Sequence, residues 1–325
     1  MDEINIGLTI KKLRNQKNVS QKELAEKLNV SCQTISKWEN DNTYPDISMI
    51  PIIADYFHVS IDTIFNGVIE SADDVIPGAM KDNLTENNEG WSQAQKNGWT
   101  GTILPKYGSY TPTEEKLHLF GDVQDKSILE IACGDGKSLL YLAGKGAKEL
   151  YGLDISEKQI EAAEENVKNN KVKATFFSSP MEVNPGIPFH HFDCVYSIYG
   201  IGWAQDLYKV FGLISKYLKP KGTFIFSWDN PMLPCIKGKD GEYLITESYV
   251  KEQEMQWTKF GKPLTSRNWK LSSYINALVS CGFEIEKVVE ESAGYSDSTS
   301  FTGKYYSEHK ASFINHTVII KARKK

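Results

Sequence analysis

The chain has 325 residues, of which 40% are hydrophobic and 24% are charged, and its formal net charge is −5 at pH 7. This composition is typical of a soluble globular protein, and the length suggests about two domains. A strongly basic chain would indicate nucleic-acid binding over a broad surface. Because this chain is mildly acidic, any DNA contact must come from one local face.

Cysteine usage and the absence of long apolar runs restrict the class of protein further. The five cysteines are scattered and form no C-x-x-C pair, which argues against both a disulfide framework and a zinc site. We therefore expect reduced thiols and no metal. No apolar run reaches the roughly 18 residues of a membrane span, and the chain starts without a basic segment that leads into an apolar one. We expect a cytoplasmic protein with no membrane segment.

Residues 6–66 carry apolar side chains at helical spacing, which predicts an all-α domain. Ser20 and Glu23 have the spacing of a capping box, so a helix begins after Ser20. Asn29-Val30 predicts a tight turn, and Ser31 can cap a further helix that runs from Cys32 to about Asn40. Two short helices joined by a brief turn within a small bundle form a helix-turn-helix.

The stretch from Leu13 to Phe65 contains Ser-Gln-Lys-Glu-Leu-Ala and Val-Ser-x-Gln-Thr-Ile-Ser-Lys-Trp-Glu, and it resembles the phage-repressor-like Xre family. The resemblance implies that the helix from Cys32 is the recognition helix and that the partner is double-stranded DNA, bound by a homodimer at two half-sites. Cys32 stands where the family frequently has Arg. The residues implied to face DNA are Gln21, Gln33, Thr34, Ser36 and Lys37. The residues alone leave open the alternative that these side chains only form a solvent-exposed face of the helix.

A change in composition after residue 66 predicts the domain organisation. Asp, Asn, Pro and Gly are frequent there, which indicates a linker. We predict a DNA-binding domain at 1–68, a linker at 69–90 and a second domain at 91–325. From Lys126 onward, short β-branched runs alternate with helical patterns. This alternation predicts an α/β, Rossmann-like fold with a mostly parallel, seven-stranded sheet.

A glycine-rich turn follows the first predicted strand of this second domain. A buried strand from Ser127 leads into Gly134-Asp135-Gly136 and then into a helix, which is the arrangement of a nucleotide-binding corner. Two glycine motifs fail here at one position each. A P-loop requires glycine where Ile131 stands, and a dinucleotide fingerprint requires glycine or alanine where Leu139 stands. The next strand ends at Asp154, about 20 residues past the glycines, where a carboxylate can accept hydrogen bonds from ribose hydroxyls.

The pattern Glu130-x-x-Cys-Gly-x-Gly, together with Leu-Lys-Pro-Lys-Gly-Thr-Phe at 218–224, resembles the class I methyltransferases, in particular the small-molecule, ubiquinone-biosynthesis-like group. The resemblance implies S-adenosyl-L-methionine as cofactor. The family usually has an acidic residue after the third strand, but Pro180 stands there, and Ser179 or Glu182 are the candidate substitutes. The candidate cofactor-binding residues are Tyr107, Ala132, Cys133, Gly134, Gly136, Asp154, Ile155, Ser179, Met181 and Ser197.

The sequence contains fewer signals for the part of the site that binds the substrate. Tyr199 and Trp203 follow the fourth strand, and ligands of open α/β sheets bind at the carboxyl ends of strands, so both are candidates to line a substrate pocket. Residues 229–266 form an insertion rich in Tyr, Trp, Met and Pro, either a lid or a surface subdomain. The pair His190-His191 is interpreted as a solvent-facing loop, and no catalytic residue is assigned.

Two hypotheses for function follow. The first is a DNA-binding enzyme that methylates a small molecule, because methyl transfer needs positioning more than acid–base groups. The second is a transcriptional regulator whose methyltransferase-like domain senses a ligand without turnover. Direct DNA methylation is less favoured, since no Asn/Asp-Pro-Pro-Tyr/Phe motif follows the fourth strand.

Overall fold

The structure is a computed structural model that describes residues 6–17, 19–57, 61–66, 78–293 and 300–325. The chain divides into two compact units, a helical N-terminal unit and a larger α/β unit. Among the residues described, no helix combines the length and the apolar character that crossing a bilayer requires.

The N-terminal unit is all helical, as predicted. Ser20 accepts a hydrogen bond from the Glu23 amide at 3.2 Å, and its own amide donates to Glu23 Oε2 at 2.7 Å, which completes the capping box. Asn29 ends this helix in the left-handed conformation, with φ of 54°. Ser31 then caps the next helix through the Thr34 amide. The helices are α1 (Ile6–Gln16), α2 (Gln21–Leu28), α3 (Cys32–Glu39), α4 (Met49–Phe57) and α5 (Ile61–Asn66).

One apolar cluster joins these helices. Ile10, Leu24, Ile35 and Ile53 are fully buried within it, and each comes from a different helix of the unit. Burial of such side chains is the main favourable contribution to the stability of a small helical bundle.

The α/β unit is built on a seven-stranded sheet in the order β10-β11-β5-β4-β1-β2-β3. The strands β1 to β5 are parallel wherever they pair with one another, and β11 is antiparallel to its two neighbours, β10 and β5. The predicted mostly parallel sheet is therefore confirmed. The strands of this sheet are β1 (Ser127–Ile131), β2 (Glu149–Asp154), β3 (Thr175–Ser178), β4 (Phe192–Ile198), β5 (Leu218–Asp229), β10 (Phe283–Val289) and β11 (Thr317–Lys324).

Helices connect the strands. All five residues of β1 are buried, as expected for a central parallel strand covered on both faces. The edge strand β10 is instead mostly exposed or half-buried. The helices of the unit are α6 (Gly78–Lys96), α7 (Glu114–Leu117), α8 (Lys137–Gly144), α9 (Glu157–Asn169), α10 (Leu207–Tyr217), α11 (Leu271–Ser280) and α12 (Glu308–Ala311).

The insertion after β5 folds into two antiparallel hairpins. The first consists of β6 (Ile236–Lys239) and β7 (Glu242–Ile245), and the second of β8 (Glu254–Lys259) and β9 (Lys262–Arg267). A two-residue turn, Phe260-Gly261, joins β8 to β9 with φ of 50° and 76°. Positive φ at both positions matches the right-handed twist of a tight hairpin.

The predicted linker at 69–90 is wrong over its second part. Residues 78–90 belong to α6, which packs on β9 and α9, whereas residues 69–77 lie outside the described residues. The polar composition hid this helix, because its anchoring side chains are not all apolar. Asn87 is 2% exposed; its amide donates to the Thr265 carbonyl at 2.8 Å and accepts from the Thr265 amide at 2.7 Å.

Candidate functional site

A cavity of about 450 Å³ opens at the carboxyl ends of the parallel strands. Residues at or just beyond the ends of β1, β2, β3, β4 and β5 all reach it, which is the usual ligand position in an open α/β sheet. Its volume lies within the range of small-molecule sites. The strand-end residues that line it include Ala132, Gly134, Asp154, Ile155, Ser179, Pro180, Met181, Glu182, Ile198, Tyr199, Trp228 and Asp229.

Two residues at this rim have a strained backbone. Ala132 and Tyr199 are both left-handed, with φ of 56° and 54°, a conformation that costs a non-glycine residue about 1–2 kcal/mol. Both residues line the cavity. Strained residues that the surroundings hold in place are common at binding sites.

Gly134 has two features that suit a ligand-binding turn. It is left-handed, with φ of 54°, and a Cβ there would lie 3.1 Å from the Trp99 ring. Its amide donates to Asp154 Oδ2 at 2.9 Å. The turn therefore has no room for a side chain, and its backbone is exposed to the cavity where a ligand can approach closely.

Asp154 is the central polar group at this end. The carboxylate is 8% exposed, and its other oxygen accepts from the Ser156 amide at 2.9 Å. Burial raises the pKa of Asp154 to about 6, and the backbone amides oppose this shift by stabilising the charge. The side chain is thus fixed and aimed into the cavity, with lone pairs left to accept ligand hydroxyls.

The turn after β3 carries a carboxylate in spite of Pro180. Glu182 lines the cavity and is fully buried, and its Oε1 accepts from the Gln205 amide at 2.8 Å. Oε2 has no hydrogen-bond partner among the described residues. Burial raises the pKa of Glu182 to about 7. Of the two substitutes expected from the sequence, Glu182 has the free acceptor, whereas Ser179 Oγ donates weakly to the Pro180 carbonyl at 3.3 Å.

The segment that follows α6 is fastened to the glycine turn. Asp135 accepts from Thr100 Oγ1 at 2.7 Å and from the Gly101 amide at 3.2 Å. Lys137 donates to the same threonine hydroxyl. These contacts hold the neighbouring Trp99 over Gly134.

An aromatic wall, defined as the series Trp99, Trp91, Trp203, Trp228 and Tyr199, lines the cavity, and Trp99 at one end of it lies over the glycine turn. Successive ring centroids are 5.4–5.5 Å apart along this series. Lys259, at the tip of the second hairpin, places its ammonium 4.6 Å from the Trp91 ring centroid and 5.7 Å from that of Trp99. Gly202 makes the wall possible, since a Cβ there would overlap the Trp228 ring at 1.7 Å.

Asp229 lies at the far end, with three hydroxyl donors around it. Tyr199 donates at 2.7 Å, Tyr306 at 2.8 Å and Tyr305 at 3.0 Å. Burial raises the pKa of Asp229, and the three tyrosines oppose that shift. Tyr199 also contacts Thr317 Oγ1 at 3.1 Å, which ties the cluster to β11.

The structure brings most of the predicted site residues together. Eight line the cavity: Ala132, Gly134, Asp154, Ile155, Ser179, Met181, Tyr199 and Trp203.

Four predicted cofactor residues are not brought into the cavity wall. Tyr107 is fully buried and donates to Glu114 Oε2 at 2.6 Å, so it belongs to the core. Cys133 is buried with its Sγ towards Gly152, and Ser197 is fully buried. A Cβ on Gly136 would lie 3.0 Å from Ala163 of α9, so this glycine serves helix packing. These positions alternate with, or lie behind, the residues that reach the ligand side.

Other cavity residues were missed because they lie outside the motifs. They come from α6, from the segment that follows it, from the second hairpin and from the segment before α12: Leu84, Asn87, Trp91, Trp99, Trp257, Lys259, Leu264 and Tyr306. The composition of the insertion was the one available signal, and it left a lid and a surface subdomain equally open. Neither His190 nor His191 lines the cavity; His191 Nε2 lies 2.7 Å from Glu149 Oε2.

In the helical unit, α3 presents the side chains predicted to face DNA. Gln33 and Lys37 are exposed, and Thr34 and Ser36 are half-buried. Thr34 Oγ1 lies 2.7 Å from Ser31 Oγ at the cap. The exposed pair lies one helical turn apart and therefore on one face.

A buried ion pair orients the start of α2. Arg14 contacts Glu39 in bidentate fashion at 2.6 and 2.9 Å, and Glu39 is 4% exposed. Gln21 donates to the same carboxylate at 2.8 Å. Gln21 keeps a second amide hydrogen that can reach an outside acceptor.

Comparison with known proteins gives the families of both units. A family model described as helix-turn-helix matches residues 10–64, and one described as methyltransferase domain matches residues 128–222. The chain joins a helix-turn-helix domain to a methyltransferase domain. The first model spans α1 to α5, and the second spans the glycine turn, Asp154 and the turn after β3, which are the parts of the chain that the sequence resemblances named.

Relatives match one domain or the other. An uncharacterised protein of Haemophilus influenzae is 27% identical over 189 residues, which are 54% of this chain and 73% of that protein. The helix-turn-helix domain is similar to the HTH-type transcriptional activator BcrR of Enterococcus faecalis, 41% identical over 58 residues, which cover 18% of this chain and 28% of that protein. The chain thus spans well under half of BcrR.

Solved structures agree on the fold of the second domain. An S-adenosylmethionine-dependent methyltransferase from Mesorhizobium loti superposes with a TM-score of 0.51 at 21% identity, covering 65% of this chain and 96% of that one. This likeness establishes the fold, and S-adenosylmethionine is the cofactor of methyltransferases of this class.

Proposed function

We propose that this protein binds double-stranded DNA through α3 and, in its methyltransferase domain, transfers a methyl group from S-adenosylmethionine to a small molecule. The observation that carries the enzymatic part is the position of Asp154. Its carboxylate lies at the end of β2, bonded to the Gly134 amide, in the wall of a cavity that reaches five strand ends.

The residues around the cavity fit each part of this cofactor. Asp154 accepts the ribose hydroxyls, and Ile155 and Met181 pack on the adenine. Glu182, with one unpartnered oxygen, accepts from the adenine amino group. Lys259 has no hydrogen-bond acceptor among the described residues, and its ammonium is the counter-charge for the carboxylate of the amino-acid end. When bound, the cofactor supplies an electrophilic methyl group; the protein positions the acceptor and excludes water.

The cavity supports a small molecule as methyl acceptor. Its volume and its mostly apolar lining are typical of small-molecule sites, in which a few polar groups fix the orientation. Tyr199 and Trp203, beyond β4, lie in the part of the wall where the acceptor would bind.

A role in transcription is the proposal for the DNA-binding half. Two observations support it. The helix-turn-helix domain is similar in sequence to the transcriptional activator BcrR, and Gln33 and Lys37 of α3 are exposed. Glutamine can bond bidentately to adenine, and lysine to guanine or phosphate. We propose that a homodimer binds two half-sites about one helical turn apart.

The first test is calorimetric titration of the full-length protein with S-adenosylmethionine and S-adenosylhomocysteine. Absence of binding at millimolar ligand refutes the cofactor proposal. Where binding is observed, methyl transfer to a panel of metabolites distinguishes an enzyme from a regulator that senses the ligand without turnover. A change in DNA affinity on addition of cofactor, without turnover, favours the sensor.

A second test addresses DNA binding. Substitution of Gln33 and Lys37 together by Ala should abolish sequence-specific retention, because both exposed contacts on α3 are removed. The matched control replaces exposed Glu26 and Lys27 of α2 by Ala. Retention that is unchanged in the α3 variant excludes this helix as the recognition helix.

A further inference from the structure

A buried negative charge lies at the far end of the cavity. Asp229, the last residue of β5, is 6% exposed and lines the cavity. Tyr199, Tyr305 and Tyr306 each direct a hydroxyl at its oxygens, at 2.7–3.0 Å. Three phenol donors stabilise the ionised form of Asp229, against the burial that raises the pKa of this carboxyl group.

The described part of the chain provides no ion-pair partner for this charge. The groups that act on Asp229 are the three tyrosines, with no cation among them. Lys310 is buried nearby, but its ammonium lies over the rings of Tyr243 and Tyr305 and donates to the Ile236 carbonyl at 3.4 Å. Lys259 lies over Trp91 and Trp99.

A buried carboxylate without an ion-pair partner is destabilising unless a cation binds beside it. Removing an ion from water carries a penalty of several kcal/mol, and hydrogen bonds from neutral phenols return only part of it. A carboxylate offers about four acceptor positions, so three hydroxyls leave one for a ligand donor. The faces of aromatic rings attract cations, and Tyr199, Trp228 and Tyr306 line the same end of the cavity.

We propose that the methyl acceptor is an organic amine, bound as its ammonium ion between Asp229 and the rings of Tyr199, Trp228 and Tyr306. This inference rests on the proposed methyltransferase function and names its substrate class. An anionic acceptor would be repelled by Asp229, and a neutral alcohol would leave the charge without compensation.

The carboxylate of Asp229 also accepts the proton that the ammonium must lose before it is methylated. An ammonium nitrogen has no free electron pair and must lose one proton before it can act as a nucleophile. In contact with Asp229, the N–H bond breaks as an O–H bond forms on the carboxylate, and the electron pair stays on nitrogen. The three tyrosine hydroxyls hold the accepting oxygens in place for this transfer.

The test uses two probes that differ in charge, 2-phenylethylamine and 2-phenylethanol, titrated into the full-length protein saturated with S-adenosylhomocysteine. Binding is followed by calorimetry and by tryptophan emission. In the wild type, the ammonium should bind about tenfold or more tightly than the alcohol, as expected for a desolvated cation on aromatic rings beside a carboxylate. Asp229→Asn should remove this preference and leave the affinity for the alcohol within about twofold, since the cation–π contacts alone are weak.

The control is Glu89→Gln, which removes one carboxylate charge from the exposed face of α6, where Glu89 pairs with Lys262. It should keep the preference for the ammonium. Equal affinity for the two probes in the wild type, no binding of the amine, or an unchanged preference in Asp229→Asn would each overturn the inference. The wild-type comparison decides even if the variant does not fold. Failure of the wild type to bind S-adenosylhomocysteine would instead contradict the proposed function itself.

Discussion

Replacement of Asp154 by Asn should weaken cofactor binding strongly while keeping the shape of the side chain. In the native site, Asp154 Oδ2 accepts from the Gly134 amide and Oδ1 from the Ser156 amide, each at 2.9 Å. Asparagine retains one oxygen and places an amino group against one of these two amides. One charge-assisted hydrogen bond to a ribose hydroxyl is then lost, worth about 1.5–3 kcal/mol. The dissociation constant should rise by about 10- to 150-fold.

Calorimetric titration with S-adenosylhomocysteine at about pH 8, where Asp154 is ionised, measures this change. The matched control is Glu157→Gln, which removes an exposed carboxylate from the first residue of α9, three positions away. It should leave the affinity within about twofold, as for exposed charges in general. An Asp154→Asn protein that keeps its thermal transition and binds within about threefold of the wild type would refute the assignment of the ribose contact to this residue.

Three further outcomes are expected. The affinity of the wild type for S-adenosylhomocysteine should fall as the pH is lowered through about 6, because the ligand binds the ionised form of Asp154 and burial raises the pKa of this residue to about 6. Titrations that give a constant affinity from about pH 8 to about pH 5 would contradict this. Asn87→Ala should cost about 1–3 kcal/mol of unfolding free energy and speed hydrogen exchange at the Thr265 amide, since that buried donor loses its acceptor; exposed Asn88→Ala is the control, and equal exchange rates would count against the contact. Arg14→Met should destabilise the helical unit by about 3–5 kcal/mol in urea unfolding, because Glu39 keeps a buried charge; Lys11→Met, at an exposed position, should have little effect, and similar values for both variants would refute a structural role of the ion pair.

Local sequence signals predicted the parts of the molecule that depend on local geometry. The capping box of Ser20 and Glu23 located α2, and the spacing from Gly134 to Asp154 located the glycine turn and the acidic end of β2. Each of these depends on a few consecutive residues whose backbone requirements are strong. For the same reason, the predicted end of the second strand at Asp154 agrees with the observed end of β2.

The rest of the site depends on contacts between distant segments, which no local pattern contains. Asn87 and Thr265 are 178 positions apart, and Tyr306 meets Asp229 across 77. A polar helix such as α6 has little periodic signal, because part of its anchoring comes from the side-chain amide of Asn87. In the glycine turn, a one-residue difference decides whether a side chain faces the cavity or the core, and the sequence does not reveal that the Cys133 side chain faces Gly152.

The contact between Asn87 and β9 also determines where the methyltransferase domain can be cut. The outer edge of a hairpin strand carries unpaired amide and carbonyl groups, and such edges promote aggregation unless something covers them. Here a helix that precedes the sheet by about thirty residues covers that edge, through Gly90, which lies against Leu264, and through the side-chain amide of Asn87. A fragment that begins at residue 91 would keep every strand and the glycine turn, yet it would leave β9 open to self-association. We therefore expect the smallest autonomous methyltransferase domain to include all of α6, from Gly78.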